Sequence, residues 1–133
     1  MDIQSFDTRD RAAEGIDWAL KDPHGSEVLG TDGQPVKFRT RGLDSAQERG
    51  RIAKGKPVHE RSDPEAYGTA LMQSDAKYLA EFLVGWTDNF THKGEPMPFN
   101  RANAIEIMSI PFIAAQQQEV LLERSNFMKR ASD

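Results

Sequence analysis

Three histidines, His24, His59 and His92, are the first side chains to weigh, because imidazole titrates near neutrality and is the commonest neutral metal ligand. Each falls in its own turn-like stretch, and none has a second histidine at the helical spacing of a zinc site. Carboxylates stand three or four positions away at Glu27, Asp63, Asp88 and Glu95, but prolines or glycines interrupt most of these stretches, so no helix aligns the pairs. Ser45 and Ser62 lie beside aspartates without the Gly-x-Ser-x-Gly elbow that would place a nucleophile, and helix capping explains both. Gly55-Lys56 lacks the Ser or Thr and the preceding strand of a phosphate loop. These residues predict no catalytic group, no metal and no cofactor.

Seventeen Lys plus Arg against 21 Asp plus Glu give a net charge of -4, which offers phosphate backbones no general attraction. Lys37, Arg39, Arg41, Arg49, Arg51, Lys54 and Lys56 form a loose basic run, but Phe38 is its one aromatic, so stacking platforms for nucleic acid are missing. A solvated basic face is the plainer account. Tyr78, Phe82, Trp86 and Phe90 recur in a row that could line a ligand pocket; in a chain with few large residues the same spacing points more strongly to core packing.

The elements that would carry these residues follow from periodicity and turn chemistry. Residues 3 to 15 hold only Ile3 and Phe6 as large apolar side chains, so a helix there depends on a neighbour, and an arm or short turn is expected. Ile16, Trp18 and Leu20 alternate with Asp17 and Ala19 as one face of a strand. Asp22-Pro23-His24-Gly25 and Asp32-Gly33 carry turn chemistry, which with the runs 27 to 29 and 36 to 41 predicts a three-stranded antiparallel meander. Val36, Phe38 and Thr40 share one face of it, and Lys37, Arg39 and Arg41 the solvated one.

Asp44-Ser45 offers a cap for a short helix near residues 45 to 54, stopped by Gly55-Lys56-Pro57, and the polar stretch from Asp44 to Glu65 is expected to be mobile or partner-dependent. From Pro64 to Trp86, Tyr67, Leu71, Tyr78, Leu79, Phe82, Leu83 and Trp86 recur at spacings of three, four and seven, the pattern of a central core helix. Thr87 to Pro98 reads as a loop, Asn100 caps a helix from about Arg101 to Ser109, and Pro111 opens a last helix to about Phe127. The whole is an α+β fold in one domain over residues 1–133: a small N-terminal antiparallel sheet in residues 1–43, then a layer of three to four helices in residues 44–127.

With no cysteine there is neither disulfide nor thiolate metal site. No apolar run approaches the about 20 residues of a membrane span, and an acidic start unlike a secretory signal points to the cytosol.

The order of these features resembles the tail assembly chaperones of lambda-like phages with long flexible tails. The resemblance rests on Asp22-Pro23-His24-Gly25, Arg41-Gly42-Leu43-Asp44-Ser45, Gly85-Trp86, Gly94-Glu95-Pro96-Met97-Pro98-Phe99, Asn103-Ala104 and Arg124-Ser125-Asn126-Phe127, and spans residues 3 to 127. It implies a protein of the host cell cytoplasm, without catalysis, that binds the tape measure protein, keeps it soluble, recruits tail tube protein and is absent from the mature virion. It leaves open whether the chain forms a homo-oligomer or a frameshifted longer product.

Reversible capture of amphipathic helices asks for an apolar groove. We expect it between the central and last helices, with Ile113, Val120 and Leu121 on its floor; the plainer alternative is that these three complete the core. A different structural reading is a permanent virion component, a head-tail joining or tail terminator subunit. A third is a ligand-binding or enzymatic loop around His92 and Glu95.

Overall fold

The computed structural model describes residues 2–45 and 75–128. A 3-10 turn, Ile3–Phe6, opens the chain and is capped by the Asp2 carboxylate, which accepts the Gln4 amide hydrogen at 3.0 Å. Helix α1, Arg9–Glu14, follows. The neighbour that this polar stretch needed is the far end of the chain: Ala12 is fully buried where α1 meets a second 3-10 turn, Arg124–Phe127. Gly42 lies in the same junction. A Cβ there would come within 2.8 Å of the Ala12 Cβ and 3.0 Å of the Phe127 ring, so a bare backbone lets the three segments meet. The Thr8 hydroxyl fastens the start of α1 to the Asp44 carboxylate.

Strand β1, Ile16–Ala19, pairs antiparallel with β2, Lys37–Thr40, and β2 pairs antiparallel with β3, Leu83–Trp86. The fold is α+β, with this small three-stranded sheet and its accompanying helices. The third strand is not the expected run 27 to 29. Those residues make two single bridges, Lys21 with Glu27 and Leu29 with Pro35, because turns crowd in on both sides and leave too little chain for a ladder. Val28 still ties the lobe together: its amide donates to the Leu20 carbonyl at 2.9 Å and its carbonyl accepts the Val36 amide at 2.9 Å.

β3 is instead drawn from residues that the helical spacing assigned to the end of the central helix, so the sheet crosses the division between residues 1–43 and 44–127. Helix α2 occupies residues 75–81 among those described, and it stops where the Phe82 amide donates to the Leu79 carbonyl at 3.3 Å. The remainder of the expected central helix, with Tyr67 and Leu71, lies outside the described residues. So do the helix near 45 to 54 beyond Ser45, the stretch 46–65, His59, Ser62 and the basic residues from Arg49 to Lys56. The expected loop 87 to 98 contains a small hairpin, β4, Thr91–His92, and β5, Glu95–Pro96. Lys93 at φ 54° and Gly94 at φ 79° supply the two left-handed residues that a tight hairpin turn requires.

Helix α3, Arg101–Met108, begins at the expected cap, the Asn100 side chain accepting the Asn103 amide hydrogen at 2.8 Å. Pro111 starts a separate helix α4, Pro111–Leu122, with Ile110 in an extended conformation between the two. α4 ends five residues short of the expected Phe127, where the chain tightens into the closing 3-10 turn.

The buried face of the sheet holds Val36, Phe38 and Thr40, each at most 1% exposed. Trp18, Phe38 and Trp86 stand opposite one another across the three strands, with ring centroids 5.0 Å and 5.8 Å apart. On the other face Lys37 and Arg41 are exposed, and Arg39 bridges to Asp17 at 3.2 Å. Asn89 clamps the 28 to 36 lobe from beyond β3: its side-chain amide donates to Asp32 Oδ1 at 2.9 Å and the Gln34 carbonyl at 3.0 Å. The Asn89 bond to Asp32, with that from the Gln34 backbone amide, holds the Asp32 carboxyl below its ordinary pKa.

Candidate protein-interaction site

The expected groove between the central and last helices is closed at the described residues. Gln117 on α4 is fully buried, donates from Nε2 to the Leu79 carbonyl on α2 at 3.1 Å, and accepts at Oε1 from the Thr40 hydroxyl at 2.7 Å. Thr40 in turn accepts the Trp18 indole N–H at 2.8 Å. One buried chain of hydrogen bonds therefore joins β1, β2, α2 and α4. Of the residues placed on the groove floor, Leu121 is a core side chain, 2% exposed, and Ile113 packs against the core from its margin. Val120 is half-buried, and its carbonyl accepts the Asn126 side-chain amide at 3.2 Å. The contacts that would have lined a groove are largely spent on packing.

An opening lies on the other side of α2. A cleft of about 200 Å³ runs between α2 and α3, and its lining is apolar at Ala80, Leu83, Ala104 and Ile105. Small residues make it possible. Ala80 and Ala104 face it from the two helices, and a larger side chain at either would fill the gap. Phe99 forms a wall, 40% exposed, with its ring edge-on to Trp86 at 4.9 Å. Trp86 is fixed by β3 and by its indole N–H bond to the Met97 carbonyl at 2.8 Å. The Asn103 side chain, donating to the Pro98 carbonyl at 2.9 Å, ties the wall to α3. Asn103 thereby has a positioning job.

Lys77, Glu81 and Arg101 complete the lining with charge. Neither Lys77 nor Arg101 makes an ion pair with any described residue, whereas Arg9, Arg39 and Lys93 pair with Asp7, Asp17 and Glu106. The arrangement can hold an apolar side chain and attract an opposite charge beside it. It presents no nucleophile with a base. Sequence reasoning missed Phe99, Ala104 and Ile105 as a group, because the cleft depends on where β3 turns the chain. Phe99, set between Pro98 and the Asn100 cap, was the one cue.

The aromatic row takes the packing role: Phe82 is fully buried, Tyr78 meets it edge-on at 5.2 Å, and Phe90 packs on Trp86 at 5.5 Å. His92 lies 3.4 Å from a Glu106 carboxylate oxygen that Lys93 also approaches at 3.4 Å, while Glu95 sits opposite His92 in the hairpin and is exposed. Among the described residues no group of three or more His, Asp and Glu is gathered as a metal would need. No helix among them is long and apolar enough to cross a membrane. Among the described residues, exposed large apolar side chains stand at a few places, including Phe112 and Leu122 on the outer side of α4, 46% and 65% exposed. In comparison with known proteins, the chain matches no family model, no curated protein and no solved structure.

Proposed function

We propose that this chain acts as a phage tail assembly chaperone that binds the tape measure protein and recruits tail tube protein in the host cytoplasm, with no catalytic step. The resemblance of the ordered sequence strings supplies the partners. One geometric observation carries the mode of action: a shallow apolar cleft between two helices, with charge at its mouth, suits reversible capture of side chains from an amphipathic helix. A rigid enclosed pocket would suit a small molecule instead.

Co-expression tests the reading. A tape measure protein co-expressed with the chain is expected to become soluble and to precipitate without it; insolubility in both cases refutes the proposal. Mass spectrometry of purified virions is expected to find the chain absent. Its presence at fixed copy number would move the assignment to a joining or terminator subunit. Alanine at both His92 and Glu95 leaves phage yield unchanged, and a collapse in yield would revive a ligand-binding or enzymatic role for that hairpin.

A further inference from the structure

Resting on that reading, we infer that the α2–α3 cleft takes one large apolar side chain from an acidic amphipathic helix of the partner protein, with a carboxylate one helical turn away seated at Lys77 and Arg101. Size separates a side chain from a small molecule. The cleft measures about 200 Å³, whereas sites that enclose a cofactor or drug-sized ligand run to roughly 300–1,000 Å³. Its floor of Ala80, Leu83, Ala104 and Ile105 offers no side-chain hydrogen bond, so a polar group pushed into it would lose its water without compensation. What enters is therefore apolar and short.

Charge fixes what stands beside it. The mouth holds two cations against one anion, Glu81, on a chain whose net charge is -4, and the first turn of α3 contains no acidic side chain. Among the described residues Lys77 and Arg101 have no ion-pair partner, and together they set a positive spot beside an apolar cavity, the complement of a carboxylate next to an apolar anchor. On a helix, residues three or four apart lie on one side, so a glutamate and a leucine at that spacing reach the cations and the cleft together. The competing occupant is a second copy of this chain, because α4 offers exposed Leu122 three residues after exposed Glu119.

The test titrates the intact chain with a labelled helical peptide of about 20 residues carrying leucine and glutamate three apart, and with its glutamine counterpart. The glutamate peptide is expected to bind about tenfold tighter, the difference that two favourable surface ion pairs give. Lys77→Glu with Arg101→Glu removes that preference; both positions are exposed, so the fold is retained and near-UV circular dichroism verifies it. Methyl signals of Ala80, Leu83, Ala104 and Ile105 shift on binding, and Ala104→Leu blocks it. Equal affinity for the two peptides, binding of neither, or methyl shifts confined to α4 would each overturn the inference. So would concentration-dependent self-association of the chain that the charge-reversed variant abolishes, since the second copy would then own the cleft. Co-expression keeps the two levels apart. If the charge-reversed chain keeps tape measure protein soluble as well as wild type does, this inference fails and the chaperone reading stands; if wild type cannot, the chaperone reading itself fails.

Discussion

Replacing Gln117 by leucine removes the middle of a buried hydrogen-bonded chain while nearly conserving volume. In the native protein Gln117 and Thr40 are both fully buried, 2.7 Å apart from Oε1 to Oγ1, and Gln117 Nε2 lies 3.1 Å from the Leu79 carbonyl. Leucine leaves the Thr40 hydroxyl hydrogen with no acceptor, a loss of about 1–3 kcal/mol for a buried polar group. The Leu79 carbonyl suffers less, because the Phe82 amide still donates to it at 3.3 Å. Added apolar burial by leucine offsets part of this, so the net cost should be about 2 kcal/mol. With a urea slope of about 1–3 kcal/mol/M for a domain of this size, the midpoint falls by about 1 M. Trp18 donates into the same chain, so its fluorescence reports both unfolding and local change. Thr40→Val should also destabilise, and combining it with Gln117→Leu should cost less than the two separately by about 1 kcal/mol, since one interaction is lost in both. Strict additivity, or a Gln117→Leu chain as stable as wild type, would refute the view that this network fastens α4 to α2 and the sheet.

Other substitutions separate packing from surface. Leu121→Ala should cost about 2–4 kcal/mol as a core truncation, and its neighbour Leu122→Ala no more than about 0.5 kcal/mol; thermal melts of the pair settle it, and equal losses would mean that α4 is docked by another face. Gly42→Ala should destabilise by about 1–3 kcal/mol through the Ala12 and Phe127 contacts, whereas Gly85→Ala, with open space at its Cβ position, stays near neutral in the same urea titration. The Asp32 carboxyl titrates below its ordinary value of 3.8 through the Asn89 and Gln34 amides. Its folded pKa is the lower one, so its contribution is complete above the unfolded value and is lost as pH falls through the folded value. Carboxylate NMR titration of Asn89→Ala should find the Asp32 pKa moved upward toward 3.8, and an unmoved value would remove Asn89 as the cause.

Local signals carried far in this chain. Alternation at Ile16, Trp18 and Leu20 and at Val36, Phe38 and Thr40 marked β1 and β2 with the right face inward, and Asn100 and Pro111 marked two helix starts that the backbone uses. The failures share a cause. Leu79, Phe82, Leu83 and Trp86 satisfy a helical period, yet the last four residues of that run, Leu-Val-Gly-Trp, complete a sheet by pairing with β2. A pairing between residues some 45 positions apart leaves no periodic trace. Gly85, a poor helix residue beside Val84 and Trp86, was the local hint. The expected groove leaned on the same helix. Ile113, Val120 and Leu121 were placed against a central helix running to Trp86, and once that helix ends at residue 81 the opening moves to its other side.

The strings behind the resemblance also acquire physical jobs. Gly42 of one string admits Phe127 of another; Trp86 bonds to the Met97 carbonyl and meets the Phe99 ring edge-on; Asn103 reaches back to the Pro98 carbonyl. Each such residue depends on a partner in a different string, so these contacts act as junctions between strings, and Phe99 also forms the exposed wall of the cleft. The cleft is where two of the strings, Gly94 to Phe99 and Asn103-Ala104, meet α2, a helix that belongs to none of them. Its wall and part of its floor are thus fixed by the fold, while Lys77, Ala80, Glu81, Leu83, Arg101 and Ile105 lie outside the strings and set its width and charge. Partner choice should accordingly change with those six positions at little cost to stability at the exposed ones, and changes at Gly42 or Trp86 should unfold the chain before they redirect it.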